Sequence, residues 1–407
     1  MDGKARKKIR EVGDADIVVA TPTYNNVSTV AFVICQIARG LERNFPRRKS
    51  VILVSDGGST DGTPEVSRVV KTKADKIVFK YDPYDGVVGK GAAIRSTFEI
   101  AEELGAKAYA MIDSDMRSVS PEWMKLLLGP CLKRECDLIT PYYSRYKYDG
   151  TITNFITHPM TQMLFGKRIR QPIGGDFGLS KRLLDRMLGS PLIDRPETNR
   201  FGIDIFMTGT ALGEGLKVGE AVLGVKTHDA KDPAGDLKPM FNEVLRSLFN
   251  VMDHYREVWC GVRDSHAVKR YRGDIRFSEP EPFEVNVQVM LDSFLKARKR
   301  HSTFLKKVFP AELSRSIEAI SDMKESFYFG SDLWVDTVYN IAPAYLAADE
   351  KARARILDLF CGLWLGRVAY FTMESRDMNN REAEHLIEDQ ALKFEERKSE
   401  LEELLCM

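Results

Sequence analysis

The first half of the chain alternates short apolar runs with longer amphipathic segments. The apolar runs end in polar turns, as buried β-strands do, and they cover residues 17–20, 50–55, 76–80, 108–112 and 137–140. The segments between them place apolar residues at helical spacing and cover residues 27–42, 63–72, 91–104 and 121–133. Because strands and helices alternate, the pattern predicts a largely parallel α/β sheet with helices on both faces.

The second half of the chain carries a different pattern. Residues 145–260 mix strands, loops and helices, and the polar stretch 261–280 predicts a linker. Glycine then becomes sparse and long amphipathic stretches follow, at residues 285–309, 311–327, 332–348, 352–373 and 381–405. We therefore predict an α/β domain over residues 1–260 and a helical region over residues 281–407, broken at Pro343.

One stretch of the helical region has an apolar face. Its apolar residues recur at helical spacing and are Leu357, Phe360, Trp364, Val368 and Phe371. Such a face packs on the α/β domain or on a second copy of the chain. We therefore expect a homodimer.

Charge and hydropathy argue against nucleic acid as a partner and against a membrane span, while peripheral membrane contact stays open. Lys and Arg total 60 against 59 Asp and Glu, so no basic field attracts nucleic acid. No apolar run approaches the roughly 20 residues of a membrane span, and the basic N-terminus leads into acidic residues rather than an apolar segment. We expect a cytoplasmic protein without a membrane span.

The cysteines are scattered along the chain and form no Cys-x-x-Cys pair. They are Cys35, Cys131, Cys136, Cys260, Cys361 and Cys406. Most lie in apolar or helical runs, which predicts reduced thiols in the core.

Two carboxylates follow the fourth predicted strand. Asp113 and Asp115 flank Ser114 where the run 108–112 ends, and ligands of open α/β sheets bind at such strand ends. Mg²⁺ or Mn²⁺ suits oxygen ligands from carboxylates and phosphates, and a metal here would neutralise a departing diphosphate. The alternative is that Ser114 or Asp115 only caps the turn that follows.

Other strand exits are also rich in polar or small residues. Residues 21–26 read Thr-Pro-Thr-Tyr-Asn-Asn, and residues 55–63 read Ser-Asp-Gly-Gly-Ser-Thr-Asp-Gly-Thr. Asp56 in the second exit is a candidate acceptor for a nucleobase N–H, unless the segment is only a polar turn. Residues 89–91, Gly-Lys-Gly, open a predicted helix beside a cation, a setting for diphosphate.

These motifs, in this order and spacing, resemble the GT-A glycosyltransferases of the family 2 type. Residues 170–177, Arg-Gln-Pro-Ile-Gly-Gly-Asp-Phe, and the later Phe-Gly-Ile-Asp-Ile at 201–205 narrow the likeness to glucosyl-3-phosphoglycerate synthases and mannosylglycerate synthases. The resemblance covers roughly residues 15–240. It implies a Rossmann-like catalytic domain that uses a nucleoside diphosphate sugar.

The resemblance also implies roles for individual residues. Asp56 would contact the nucleobase, Lys90 the donor diphosphate, and Asp204 the donor sugar or the reacting centre. A metal would be held by Asp113, Asp115 and His228. The full set of implied donor-binding residues is Thr21, Tyr24, Asn25, Asp56, Gly89, Lys90, Asp113, Ser114, Gly174, Gly175 and Asp176.

One position departs from the pattern of these synthases. Asp176 stands where they usually carry Glu, which puts the hydroxyl contacts made there in doubt. The signature of processive polysaccharide synthases, Gln-x-x-Arg-Trp, is absent. A single transfer therefore fits better than polymerisation.

The acceptor site is expected in the basic, aromatic stretch 142–170. An Arg fork there would bind a carboxylate or phosphate, and we choose Arg168 or Arg170 as that Arg, beside Gly174 and Gly175. The alternative is a solvated loop.

The resulting hypothesis is a metal-dependent hexosyl transfer to a small anionic acceptor such as glycerate or 3-phosphoglycerate. The resemblance implies retention of anomeric configuration, whereas inversion would make Asp204 the general base. Three alternatives stay open: a transferase with a lipid-phosphate or protein acceptor, a catalytically silent nucleotide-binding module, and a nucleotidyltransferase. Nucleotidyltransferases generally carry a Gly-rich loop with Arg and Lys directly after the first strand, whereas this sequence has Thr-Pro-Thr-Tyr-Asn at residues 21–25.

Overall fold

A computed structural model describes residues 3–228, 232–235, 237–275 and 278–406. Its strands are β1 (Ile17–Thr23), β2 (Ser50–Asp56), β3 (Asp75–Lys80), β4 (Ala108–Met111), β5 (Leu138–Ser144), β6 (Lys167–Arg168), β7 (Phe177–Ser180), β8 (Val218–Val225), β9 (His266–Ala267) and β10 (Lys269–Tyr271).

The helices divide into those of the α/β half and those after it. The first group is α1 (Gly3–Val12), α2 (Val30–Asn44), α3 (Thr63–Val69), α4 (Lys90–Glu103), α5 (Pro121–Leu132), α6 (His158–Phe165), α7 (Lys181–Leu188), α8 (Ile203–Gly213), α9 (Lys238–His254) and α10 (Arg256–Trp259). The second group is α11 (Val287–Arg300), α12 (Ser302–Val308), α13 (Ala311–Glu318), α14 (Ser331–Leu346), α15 (Glu350–Glu374), α16 (Asn380–Glu396) and α17 (Lys398–Leu405). Short 3₁₀ turns lie at Pro191–Asp194 and Lys324–Ser326, and a π-helical turn at Thr153–Thr157 precedes α6.

Eight of these strands form one sheet, in the order β10-β8-β5-β7-β4-β1-β2-β3. Neighbouring strands pair in parallel except around β7, which is antiparallel to both β4 and β5. The predicted parallel α/β sheet is confirmed, and the antiparallel β7 is an addition to it. Because β7 runs the other way, its start lies at the same edge as the carboxyl ends of its neighbours.

Alternating side chains of β1 show how the sheet is buried on both faces. Ile17 and Val19 belong to the apolar cluster under α2 and α5, whereas Val18 and Ala20 belong to the cluster under α4. All four are fully buried. A strand covered on both faces reads as a continuous apolar run, which is why β1 was recognisable in the sequence.

The segment expected as a linker instead contributes strands. β10 pairs in parallel with β8 at the edge of the main sheet, and β9 pairs with β6. Arg270 of β10 places its Nε 2.8 Å from Oε2 of the buried Glu220 in β8. The chain is therefore tied to the sheet between the two halves.

The helices after residue 286 pack against the α/β half. α15 lies against α11 and α9, and α16 lies against α6. The same apolar cluster contains Phe241 of α9 and Trp364 of α15, whose ring centroids are 4.9 Å apart. The apolar stripe on α15 is therefore covered within the chain.

The predicted break at Pro343 is wrong. α14 continues through this residue to Leu346, and the Ala347 N–H donates to the Pro343 carbonyl. Proline removes one N–H and crowds the preceding turn, and only the last turn of the helix follows it here.

Among the described residues, α15 alone has the length and composition of a membrane-crossing helix. It has 25 residues, and 83% of its most apolar window is buried inside the protein. The burial accounts for its apolar composition, since a core helix needs apolar side chains all round.

The prediction that all cysteines are reduced is wrong for one pair. Cys260 and Cys406 form a disulfide, with 6.1 Å between their Cα atoms, whereas the other four are free thiols. The pair is 146 residues apart in sequence and meets because α17 folds back beside α10. Sequence spacing gives no sign of such a contact.

His158, at the start of α6, makes the stability of the fold depend on pH. It is buried, its Nδ1 donates to the Ile169 carbonyl at 2.8 Å, and burial, with Arg170 nearby, lowers its pKa from 6.5 to about 4. Between these two pKa values the unfolded chain binds a proton that the folded chain does not. As the pH falls from 6.5 to 4 we expect this residue to remove on the order of 3 kcal/mol from the free energy of unfolding.

The measurement is urea denaturation at a series of pH values, for the wild type and His158→Asn. Asparagine keeps an N–H donor for Ile169 but does not titrate. The wild type should lose more stability than the variant across pH 6.5 to 4, and parallel curves would contradict the prediction.

Candidate active site

A cavity of about 910 Å³ opens at the carboxyl-end edge of the parallel strands. The connections after β1, β2, β4, β5 and β8 all contribute to its wall. Its polar lining includes Tyr24, Asn26, Lys90, Asp113, Ser114, Asp115, Arg145, Asp149, Arg200, Asp204, Lys226 and His228. The position is the one that the strand order predicts for a ligand.

Lys90 lies between two carboxylates in this cavity. Its Nζ is 2.9 Å from Asp113 Oδ1 and 3.4 Å from Asp204 Oδ2. Burial alone would lower the pKa of Lys90, but the two carboxylates outweigh it and raise that pKa, so the ammonium is retained. Burial raises the pKa of Asp204, and Lys90 opposes this effect.

The backbone around α4 explains how Lys90 reaches this position. The Gly91 and Ala92 N–H groups donate to the carbonyls of Arg200 and Asn199, at 3.0 and 2.8 Å. A Cβ on Gly91 would lie 1.9 Å from the Thr198 carbonyl oxygen. The small residues therefore allow the segment 198–200 to approach, and these two N–H groups are not available to a diphosphate.

The backbone of Asp113 is hydrogen-bonded to the buried carboxylate of Asp176. The Asp176 carboxylate accepts hydrogen bonds from the Asp113 N–H at 2.9 Å and from the Tyr143 hydroxyl at 2.6 Å. Burial, reinforced by Asp113, raises the pKa of Asp176 to about 7. Asp176 was predicted to bind the donor, but it is fully buried, does not line the cavity and supports Asp113 from behind.

Of the two glycines at residues 174 and 175, only Gly175 lines the cavity. Gly175 lines the cavity with a φ of +92°, and a Cβ there would lie 2.2 Å from Asp113 Oδ2. Gly174 lies behind the wall against Pro141, and its carbonyl accepts from Lys226 Nζ at 2.8 Å. Only glycine fits at residue 175, because both the conformation and the space exclude a side chain.

Asp56, predicted to contact a nucleobase, is hydrogen-bonded to its own loop and to the end of β1. Its carboxylate accepts from the Thr23 hydroxyl, from the Gly58 N–H and from both the N–H and the hydroxyl of Ser59, at 2.6–3.0 Å. The residue is buried and does not line the cavity, although its neighbour Gly57 does.

Three residues at the end of β1, Thr21, Tyr24 and Asn25, were predicted to bind the donor, and only Tyr24 lines the cavity. Tyr24 lines the mouth and is 65% exposed, as a group that stacks on a ligand must be. Asn25 instead bridges to Ser59 and Thr60, and Thr21 is buried inside β1. The Ser114 hydroxyl donates to the Pro22 carbonyl at 2.7 Å.

The predicted metal ligands share the cavity without forming a closed site. Asp113, Asp115 and His228 all line it, but among the described residues no three His, Cys, Asp or Glu side chains meet at one point. Mg²⁺ commonly takes one or two carboxylates and completes its shell with substrate phosphate and water. The donor set therefore fits a cation that binds with a diphosphate; Asp229 and Asp236 lie outside the described residues.

His228 and Arg145 both contact Asp149, a carboxylate in the cavity that the sequence analysis did not single out. Its Nε2 is 3.4 Å from Asp149 Oδ2, and Arg145 Nε is 2.7 Å from the same oxygen. Burial would raise the pKa of Asp149, but Arg145 and His228 outweigh it and hold that pKa well below its usual range.

The prediction that Arg168 or Arg170 binds the acceptor disagrees with the structure. Arg168 donates to the Ser265 hydroxyl at the β6–β9 edge, and neither Arg lines the cavity. The Nε and Nη2 of Arg170 donate to the two carboxylate oxygens of Glu384, at 2.5 and 2.8 Å. Its remaining Nη2 contact is with Asn154.

Besides Lys90, the lysine and arginine residues that line the cavity, among those the structure describes, are Arg145, Arg200 and Lys226. Arg145 and Lys226 directly follow β5 and β8, so the strand-end rule that located Asp113 also locates them once the strands are known. Arg200 follows no strand and reaches the site only through its contact with α4.

An α/β sheet whose strand exits bring a lysine and two carboxylates into one cavity is typical of enzymes that bind a ligand at the carboxyl ends of their strands. The family model described as mannosylglycerate synthase, GT domain, matches residues 30–250, more than half of the chain. The chain belongs to this family. It is a glycosyltransferase of the GT-A fold, which confirms the resemblance found in the motifs.

The individual proteins that match this chain have low sequence identity to it. The glucosyl-3-phosphoglycerate synthase of Petrotoga mobilis is 21% identical over 271 residues, which cover 61% of this chain and 77% of the relative. The crystal structure of the Mycobacterium tuberculosis glucosyl-3-phosphoglycerate synthase with Mn²⁺, UDP-glucose and phosphoglyceric acid is 23% identical, with a TM-score of 0.47. The match covers 60% of this chain and 84% of the chain in that structure.

Proposed function

We propose that the protein transfers a hexosyl group from a nucleoside diphosphate sugar to a hydroxyl of a small anionic acceptor. Glycerate and 3-phosphoglycerate are the acceptors we propose, with Mg²⁺ or Mn²⁺ bound and the anomeric configuration retained. The observation that carries the proposal is Lys90 between Asp113 and Asp204, with Lys226 lining the same cavity. The names of the relatives support the acceptor class.

On the donor side, Lys90 is the fixed positive charge for the diphosphate. Asp115 and His228 would hold the divalent cation, which supplies charge neutralisation to the leaving diphosphate. Asp204 Oδ1 is buried and has no hydrogen-bond partner among the described residues. A donor-sugar hydroxyl would satisfy it, since a buried acceptor without a partner is costly.

On the acceptor side, Lys226 and Arg145 are the cations for a carboxylate or phosphate. The Arg145 fork suits paired oxygens, whereas Lys226 provides a point charge. With retention, the leaving phosphate takes the acceptor proton, so no further carboxylate base is required.

The test is a transfer assay with UDP-, GDP-, ADP- and dTDP-sugars against glycerate and 3-phosphoglycerate, with Mn²⁺ or EDTA. One donor and acceptor pair should give a product whose anomeric configuration matches the donor by NMR. Absence of transfer for every pair, together with no thermal shift from any nucleotide, would refute the proposal.

Asp115→Asn tests the metal assignment. We expect the Mn²⁺ concentration for half-maximal activity to rise at least about tenfold, because a neutral amide oxygen binds a hard cation more weakly. Asp185→Asn, a change at an exposed carboxylate paired with Lys181, is the control and should leave the Mn²⁺ titration unchanged. Equal titrations for the two variants would remove Asp115 from the metal site.

A further inference from the structure

The connection after β5 forms a large part of the cavity wall. We call residues 145–151 the acceptor loop. Arg145, Tyr148, Asp149, Gly150 and Thr151 of this loop line the cavity. The loop is not part of the sheet, so other contacts must fix the positions of Arg145 and Asp149.

Lys147 points away from the cavity, into the protein. It is 8% exposed, and its Nζ donates to the carbonyls of Ser375, Arg376 and Met378 at 2.6, 2.9 and 2.6 Å. These carbonyls follow the end of α15. An ammonium satisfies unpaired carbonyls at a helix C-terminus and also interacts favourably with the helix dipole.

Other hydrogen bonds also join the acceptor loop to α15 and α16. The Lys147 N–H donates to Asn380 Oδ1 at 3.0 Å, and the Tyr148 hydroxyl donates to the Thr372 carbonyl at 3.2 Å. Trp364 Nε1 donates to the Thr151 carbonyl at 3.5 Å. Residues more than 200 positions away in sequence therefore surround the loop from behind.

We propose that Lys147 is a positioning residue for catalysis: it anchors the acceptor loop to the end of α15 and so fixes Arg145 and Asp149 at the cavity. The helical region then takes part in building the active site. The catalytic consequence rests on the proposed function, whereas the anchoring of the loop does not.

Lys398 provides a matched control. It is also a buried lysine, 6% exposed, and its Nζ donates to the carbonyls of Trp259 and Val262 at 2.6 and 2.7 Å. Those carbonyls lie near the disulfide, and neither residue lines the cavity. Lys147→Met and Lys398→Met therefore remove the same kind of contact at two different places.

The experiment compares amide hydrogen exchange and kinetics for both variants. In the absence of substrate, Lys147→Met should speed exchange in residues 145–151 about tenfold or more, and Lys398→Met should not. With substrates, Lys147→Met should lower kcat/KM for the acceptor at least about tenfold, since small misplacements of binding groups are costly. The KM for the donor should rise less than that for the acceptor, because Lys90 lies outside the loop, and Lys147→Arg should restore part of the loss.

Unchanged exchange in the loop of Lys147→Met would overturn the anchoring, whatever the reaction. Faster exchange with acceptor kinetics equal to those of Lys398→Met would overturn the positioning role. A wild-type protein that transfers no sugar and shows no thermal shift with any nucleotide would refute the proposed function alone, because the exchange comparison needs no substrate.

Discussion

Replacing Lys90 by glutamine is expected to lower kcat for glycosyl transfer by about three orders of magnitude. The Lys90 ammonium is within 3.4 Å of both Asp113 and Asp204, and it is the fixed cation for the leaving diphosphate in the proposed reaction. Its removal also leaves two largely buried carboxylates without their cation. We therefore expect a loss of stability on the order of 3 kcal/mol as well. Steady-state kinetics and urea denaturation measure the two effects.

A double variant separates chemistry from folding. Lys90→Gln with Asp204→Asn removes one positive and one negative charge, so much of the lost stability should return. The activity should not return, because the cation is still missing. If Lys90→Gln keeps kcat within about tenfold of wild type, or if the double variant recovers activity, Lys90 does not stabilise the leaving group.

The sheet was predictable because its strands are buried on both faces. β1 and β2 are continuous apolar runs bounded by polar turns, and the helices between them force parallel pairing. The antiparallel β7 was not predictable, because its four residues carry no sign of direction. Its pairing is decided by the path of residues 145–176 between β5 and β7.

The position of the cavity was predictable from the sequence, but only some of the residues that line it were. Lys90, Asp113 and Asp115 were found because they follow strands or open a helix. The same rule selects Asp56, but its carboxylate accepts hydrogen bonds from Thr23 of the neighbouring strand and from Gly58 and Ser59. Whether a polar side chain faces a ligand or supports a neighbour depends on partners that are remote in sequence.

Arg170 shows this dependence most clearly. Its side chain is 11% exposed and makes a two-pronged ion pair with Glu384 of α16, 214 residues later. The sequence shows a basic residue beside a glycine loop, which is typical of an acceptor site. Only the packing of α16 on α6 reveals that the charge is already neutralised.

Arg170→Leu is therefore expected to destabilise the fold by about 1–3 kcal/mol, because it leaves Glu384, whose side chain is 33% exposed, without its hydrogen-bonded partner. Urea denaturation measures this loss, and Glu384→Leu should be destabilising for the reciprocal reason. The double variant should recover much of the loss, because neither charge is then left without its partner. At a temperature where Arg170→Leu is folded, its KM for the acceptor should stay near that of the wild type. A rise in that KM of tenfold or more with little loss of stability would return Arg170 to the acceptor site and contradict the structural role.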